Sequence, residues 1–292
     1  MFGATGQLAR EVLVRGDGRV RALSRADVDL ADASAVRRAV ERAGDVDLVL
    51  NAAAYTAVDK AESEADQAYA VNAYGPEAMA RACAARDLPL IHISTDMVFS
   101  GAKAGAYAED DPVGPPHVYG ASKLAGEEAV LANARRAAVI RISWVFSTHG
   151  SNFLHLMLRL AQTNPTLKVV DDQRARPTAA GDVADFILGH AARFAAAPAG
   201  APEWGRLHFA NAGVTSRVEM AAAIFQLAWP DRPAPEIEPV PTSAFPAAAR
   251  RALNTELDTR RLEQVFGLSP RPWREPLAEV ISQLQSEPRA VV

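Results

Sequence analysis

Cysteine is nearly absent from this 292-residue chain; Cys83 is the only one. A single thiol excludes an intrachain disulfide framework and points to a reducing compartment. Basic charge is in no excess either. Lys and Arg total 31 against 35 Asp and Glu, a net charge of −4. That balance carries no footprint for nucleic acid or an anionic membrane surface. No apolar run approaches the roughly 18–20 residues that span a bilayer. A Gly-rich motif starting at Gly3 leaves no room for a signal peptide, so the expected compartment is the cytoplasm. His and carboxylate side chains do not gather at metal-ligand spacing, so no protein-held metal is expected and Mg2+ is left open. What is present is ordinary for a folded protein: 49% hydrophobic and 23% charged residues, which excludes wholesale disorder. Lysine is scarce beside arginine, so a lysine inside a motif is more informative than an arginine there.

Short β-branched runs alternate with longer helical patterns through the first half. Val20–Leu23, Asp47–Asn51, Leu90–Ser94 and Ala138–Ile142 read as brief buried strands. Gln7–Val14, Ala33–Arg42, Asp66–Arg86 and Tyr119–Ala132 read as helices. Such alternation builds βαβ units. The expected class is α/β, a Rossmann-type doubly wound parallel sheet covered on both faces. Beyond about residue 147 the rhythm loosens. Helical patterns at Asn152–Gln162, Asp182–Phe194, Val218–Leu227 and Glu275–Gln285 mix with short strands at Lys168–Val170 and Leu207–Ala210. Pro/Ala-rich stretches at Ala195–Pro202 and Pro230–Pro241 read as loops, and Asp258 as a helix cap. This describes a smaller C-terminal α+β lobe. The expected division is 1–147 for a nucleotide-binding domain, joined by part of 172–198, and 148–292 mainly for a substrate-binding lobe.

Gly3-Ala-Thr5-Gly6-Gln-Leu-Ala9 opens the first helix. Glycines let backbone amides approach a pyrophosphate, and a helix N-terminus offers unpaired N–H groups. A strand in front of this turn needs about five residues, yet only Met1 and Phe2 precede Gly3. The first strand is therefore expected to be truncated. Its stub at residues 1–3 should lie between the strands at Val20 and Leu90, with a gap beyond that an apolar extension would fill. About 20 residues after such a fingerprint an NAD enzyme carries an acid for the ribose hydroxyls; here stand Ser24 and Arg25. Arg can pair with a 2′-phosphate and Ser can donate to it, which favours NADPH and leaves NADH open. Asp29 and Leu30 follow as neighbours of the adenine, and the small Asn51–Ala54 segment suits close approach to a cofactor.

Ser94-Thr95-Asp96 closes a strand at the carboxyl edge, where open α/β sheets bind ligands. Tyr119 and Lys123 lie four residues apart at the start of a helix, hence on one face. An ammonium there can depress the phenol from about 10 towards working pH. Such a phenol can protonate a carbonyl oxygen while hydride reaches the carbon, with the Thr95 hydroxyl holding the same oxygen.

In this order the motifs resemble the extended short-chain dehydrogenase/reductase superfamily and, within it, the dTDP-4-dehydrorhamnose reductases. The resemblance runs through Gly3–Gln7, Asn51–Glu62, Val71–Ala73, Ser94–Phe99, Tyr119–Gly126, Arg141–Val145, Asp172-Gln173, Pro177-Thr178 and Ala249–Arg251. It implies Tyr119 as proton donor, Lys123 as its partner and ribose ligand, and Thr95 as the tuning hydroxyl. Thr95, Asp96 and Trp144 would contact the sugar nucleotide. Gly6, Gln7, Leu8, Ser24, Asp29, Leu30, Ala54, Tyr55, Thr56 and Ile93 would line the cofactor, beside Gly3, Thr5 and Arg25. The chain departs from the family's usual Tyr at Met97, Gly at Ala175 and Pro at Ala252. The expected function is NADPH-dependent reduction of the C4 ketone of dTDP-4-dehydro-L-rhamnose, a step towards cell-surface polysaccharide. The expected partner is that dTDP-sugar, not nucleic acid or membrane, with the chain a monomer or homodimer. Rivals are an epimerase of the same superfamily and a non-catalytic NADP-binding regulatory subunit. A dehydratase needs a second carboxylate where Met97 follows Asp96.

Overall fold

A computed structural model of the chain describes residues 1–231 and 233–286. Four short strands, each buried along most of its length, form its central sheet. Val49–Asn51, Leu90–Thr95, Ala137–Ile142 and Gly205–Phe209 lie side by side in that order, all parallel. Strands without a polar alternation must be covered on both faces, and they are. On one face Gln7–Arg15 and Ala180–Gly189 bury Leu8, Val12, Val183 and Phe186 against Ile91 and Ile140. On the other, Ala33–Glu41, Gly75–Ala85 and Val118–Asn133 bury Val36, Val40, Met79 and Val130 against Leu90 and Val139. The spacing of Val36 and Val40 is that of one helical stripe, and Asp32 caps their helix by accepting from the N–H groups of Ser34 and Ala35. This is the doubly wound sheet expected from the alternation.

The first strand is indeed a stub, but its neighbours differ from expectation. Phe2 bridges Leu23 on one side and Asn51, not the Leu90 strand, on the other. The Val49–Asn51 strand therefore sits next to the glycine turn, and Leu90–Thr95 one place further out. Sequence order suggested otherwise because the chain spends only the Ala33–Glu41 helix between residues 23 and 49, with no strand inserted there. Val20–Leu23 also shrinks to the single bridge at Leu23, since a partner two residues long can hold no more. Beside the stub opens a cavity of about 1330 Å3 lined by Met1, Val12, Val20, Leu48, Val49 and Ile187.

Two expected helices are interrupted. Asp66–Arg86 becomes Ala65–Tyr69, a π-helical turn at Ala70–Tyr74, and Gly75–Ala85. Pro76 has no N–H to give the preceding turn, so the ladder is remade with an extra residue there. Asp182–Phe194 breaks at His190 into Ala180–Gly189 and Ala191–Ala196.

The remaining elements form a second layered unit. Phe153–Leu160, Arg217–Ala228 and Arg274–Ser286 enclose Leu154, Phe225, Trp273 and Leu277 beside a two-stranded parallel sheet, Thr166–Val170 with Glu236–Val240. The latter strand falls inside the expected Pro230–Pro241 loop, which also includes residue 232, outside the described residues; so are residues 287–292 at the end of the expected second lobe. The N-cap of the short Arg260–Phe266 helix is Thr259, with no side-chain cap, and not Asp258 as expected; Asp258 lies one residue earlier and accepts from the Arg260 N–H at 2.9 Å.

Candidate active site

The glycine turn fits a dinucleotide on two observations. Gly3 has φ +95°, and a Cβ there would come within 3.2 Å of the Ala52–Ala53 backbone. Only glycine allows the stub and the Asn51–Ala54 segment to pass so close. Gly6 precedes the nine-residue Gln7–Arg15 helix with no side chain capping it, and nothing lies within 4 Å of where its Cβ would be. The first turn of the helix thus has no side-chain cap and room beside Gly6, features that suit a phosphate. Gln7 Oε1 accepts from Ser147 Oγ at 3.0 Å and Asn152 Nδ2 at 2.9 Å, tying the turn to the second unit. Thr5 is exposed.

The remaining expected cofactor residues fall into three groups. Leu8 and Leu30 are each only 6% exposed and bury their side chains in the two cores, so only their backbones can face a ligand. Ser24 and Arg25 both meet carboxylates: Asp27 binds Ser24, and Asp29 lies 3.3 Å from Arg25. Ala54 and Thr56 sit on the loop after Asn51, which Asn72 pins. Its Oδ1 accepts from the Tyr55 N–H at 2.8 Å, and its Nδ2 donates to Tyr55 O and to Ser122 Oγ, both at 3.0 Å. Tyr55 itself donates through its hydroxyl to Glu64 at 2.8 Å.

The chemical end is assembled by one helix and one strand. His117 caps Val118–Asn133, its Nδ1 accepting from the Gly120 N–H at 2.9 Å. Gly120 lets this helix close on the turn Asp96–Val98 that follows the Leu90–Thr95 strand: a Cβ there would meet Met97 O at 2.2 Å. Tyr119 consequently shares a hydrogen bond with Thr95, whose hydroxyl donates to Asp96 Oδ1 at 3.0 Å. Burial raises the Tyr119 phenol to about 12, and the Thr95 bond opposes this. The depression expected from Lys123 is absent; the Asp96 charge instead raises the phenol further, which keeps it in the protonated form that a proton donor needs. Lys123 Nζ donates to Ile93 O at 2.7 Å and is pulled down to about 8 by burial, against the charge of Glu127. Asp96 is raised to about 6 by burial, opposed by Thr255, Thr95 and Arg217. Met97 packs with Tyr55, Val58 and Val118 around Tyr119.

Trp144 has φ +42°, a strained value for a bulky residue. Its carbonyl accepts from the Thr178 N–H at 3.3 Å, and the Arg217 guanidinium stacks 3.5 Å from its ring centroid. Arg217 and Arg251 were not singled out in the sequence; Arg251 reaches across to Asp59. Nor was the buried ion pair of Glu127 and Arg141, at 2.7 Å, which locks the Tyr119 helix to the sheet. Asn51, Asn72 and His92 also went unmarked, although Asn51 and Asn72 lie inside stretches that carried the resemblance. Among the described residues no group of three His, Cys, Asp or Glu side chains converges as a metal site, and no helix is long and apolar enough to cross a membrane.

The parallel sheet, the uncapped glycine turn and a carboxyl edge carrying Thr95 and Tyr119 define a class, the nicotinamide-dependent oxidoreductases of the short-chain dehydrogenase/reductase type. The profile of the family described as "RmlD substrate binding domain" matches residues 1–286. The dTDP-4-dehydrorhamnose reductase of Sinorhizobium fredii is 39% identical over 289 residues, 98% of this chain and 97% of the relative. A crystal structure of the Clostridium acetobutylicum dTDP-4-dehydrorhamnose reductase superposes with a TM-score of 0.89 at 34% identity, covering 97% and 98% of the two chains. That of Bacillus anthracis, in complex with NADP, gives 0.87 at 30% identity and 97% coverage of both. The chain belongs to the dTDP-4-dehydrorhamnose reductase family.

Proposed function

We propose that this protein reduces the C4 ketone of dTDP-4-dehydro-L-rhamnose to the alcohol with NADPH, in the supply of dTDP-L-rhamnose for cell-surface polysaccharide. The observation that carries it is the buried, protonated Tyr119 on Thr95, with Lys123 one turn further along the same helix. The Gly3–Leu8 turn would hold the pyrophosphate, Ser24, Arg25, Asp29 and the Leu30 backbone the adenosine, and Ala54, Tyr55, Thr56 and Ile93 the nicotinamide end. A bound nicotinamide supplies the hydride. Tyr119 gives its proton to the developing alkoxide, and Thr95 holds the same oxygen. The Lys123 ammonium binds the ribose and restores the Tyr119 proton. Asp96 and Trp144 orient the sugar. Residues 1–147, with the returning Ala180–Gly189 helix, serve the nucleotide, and the greater part of 148–292 serves the substrate. The protein works in the cytoplasm as a monomer or homodimer, with NADH as a second cofactor and Mg2+ both left open.

NADPH oxidation, followed at constant enzyme, tests this reading with dTDP-4-keto-L-rhamnose prepared enzymatically and with its unepimerised precursor. The expected result is rapid oxidation with the first and little with the second. No oxidation with either overturns the proposal; an epimerase would consume no NADPH.

A further inference from the structure

Lys123 has a neighbour to which the reaction above gives no task. His92 is wholly buried on the Leu90–Thr95 strand. Its Nδ1 lies 3.0 Å from Asn51 Nδ2, and its Nε2 lies 3.4 Å from Lys123 Nζ. Asn51 is not free to turn over. Its Oδ1 accepts from the Ala53 N–H at 3.2 Å, and a backbone N–H can only donate. The Asn51 NH2 therefore faces His92 and also only donates, so His92 Nδ1 must be the bare nitrogen. A neutral imidazole then carries its proton on Nε2, aimed at Lys123. Burial and the Lys123 charge both hold His92 well below its ordinary range, so it takes no second proton.

An ammonium has three donors and no acceptor. While Lys123 is charged, the His92 N–H finds no lone pair on it. A neutral amine has one. We propose that His92 is a positioning residue that favours the neutral form of Lys123, the form left when Lys123 has passed a proton to Tyr119, and that Asn51 acts through it by fixing its tautomer. This rests on the roles assigned to Tyr119 and Lys123 above. The Tyr119 O–H bond breaks as its proton goes to the sugar alkoxide. The phenolate takes a proton from the Lys123 ammonium. The amine so formed accepts the His92 Nε2–H hydrogen bond without taking that proton, until water returns one to Lys123.

Besides Tyr119, two ionisable groups face Lys123. Glu127, one turn along the same helix, favours the ammonium, but its charge is shared by Arg141 at 2.7 Å and Arg206 at 3.5 Å. His92 opposes it from the strand. Other charges on elements packed against this helix are engaged elsewhere: Asp96 faces Tyr119, Asp59 pairs with Arg251, Glu64 with Lys60 and Glu77 with Arg81.

The test exploits the scarcity of lysine: the chain has four. Lysine labelled with 13C at Cε is titrated in the NADP-bound protein, with the Lys123 signal assigned by its loss in Lys123→Arg. Asn51→Asp keeps the acceptor for Ala53 but accepts from Nδ1–H, which moves the imidazole proton off Nε2. The Lys123 midpoint should then rise by about half a pH unit or more, and the alkaline limb of kcat should rise with it. His92→Leu should move both the same way. An unchanged or lowered midpoint overturns the proposal. Should Asn51→Asp not fold, 15N spectra of the wild-type histidines decide: a proton on Nε2 of His92 upholds it, and one on Nδ1 overturns it. The titration needs no turnover, so an inactive wild-type enzyme would overturn the functional reading separately.

Discussion

The carboxylate of Asp27 accepts two hydrogen bonds from a single residue, Ser24: one from its backbone N–H at 2.8 Å and one from its hydroxyl at 2.6 Å. Both hold Asp27 below the usual carboxylate range. At this edge of the sheet the adenosine ribose is expected, so Asp27 competes with a 2′-phosphate for the Ser24 hydroxyl. Asp27→Asn should therefore lower the KM for NADPH relative to NADH. Arg25→Ala should do the reverse by about two- to fivefold, the worth of an exposed ion pair. The ratio of the two KM values checks both; equal changes for both cofactors would remove these residues from 2′-phosphate recognition.

Asp96 links the site to stability. Its carboxyl rises from 3.8 in a free chain to about 6 on folding, so between those values the folded state binds more protons than the unfolded. Stability then falls as pH rises from about 4 to about 6. A gap of roughly two pH units corresponds to about 3 kcal/mol. Asp96→Asn does not titrate, so its stability relative to wild type should grow by about that amount from pH 4 to pH 7. Denaturant unfolding at both pH values measures it, and a constant difference would contradict the assignment.

Asn72 satisfies both backbone groups of Tyr55 and one hydroxyl of the catalytic helix. Asn72→Ala leaves the two Tyr55 backbone groups without that partner at a cost of about 1–3 kcal/mol, while Ser122 Oγ keeps its bond to Tyr119 O. The loop from Asn51 to Thr56 should loosen as well. Thermal unfolding should show a Tm lower by several degrees, and NADPH affinity should fall. A wild-type Tm with normal affinity would mean that the loop is held by other contacts.

The placement of Tyr119 and Lys123 on one helix, and of the Gly3–Gly6 turn ahead of another, was legible in the sequence because each rests on local spacing: one helical turn, or one tight bend ahead of a helix. The alternation of strands and helices gave the layers for the same reason. What was not legible is non-local. Asn72 meets Tyr55 across 17 residues and Ser122 across 50, and Asn51 meets His92 across 41; nothing in a linear reading pairs them. The π-helical turn had one available signal, Pro76 within a helical pattern. The pairing of Phe2 with Asn51 had none, since strand order depends on which connection inserts a strand. The rise of the Tyr119 phenol follows from its burial under a helix that Gly120 allows to close, a packing fact invisible in a Tyr-x-x-x-Lys spacing.

Tyr119→Phe keeps the ring and removes the proton donor. Turnover should fall by about 10²–10⁴-fold, the usual worth of general acid catalysis, with NADPH affinity near wild type. Retention of most turnover would end the assignment of Tyr119.

The most direct measurement follows the hydride itself. NADPH deuterated at C4 of the nicotinamide is supplied with dTDP-4-keto-L-rhamnose, and the sugar product is read by NMR. The account requires one deuterium at C4 of dTDP-L-rhamnose, transferred with the stoichiometry of NADPH consumed. Product without deuterium at C4, or an altered sugar formed with no NADPH consumed, would contradict it.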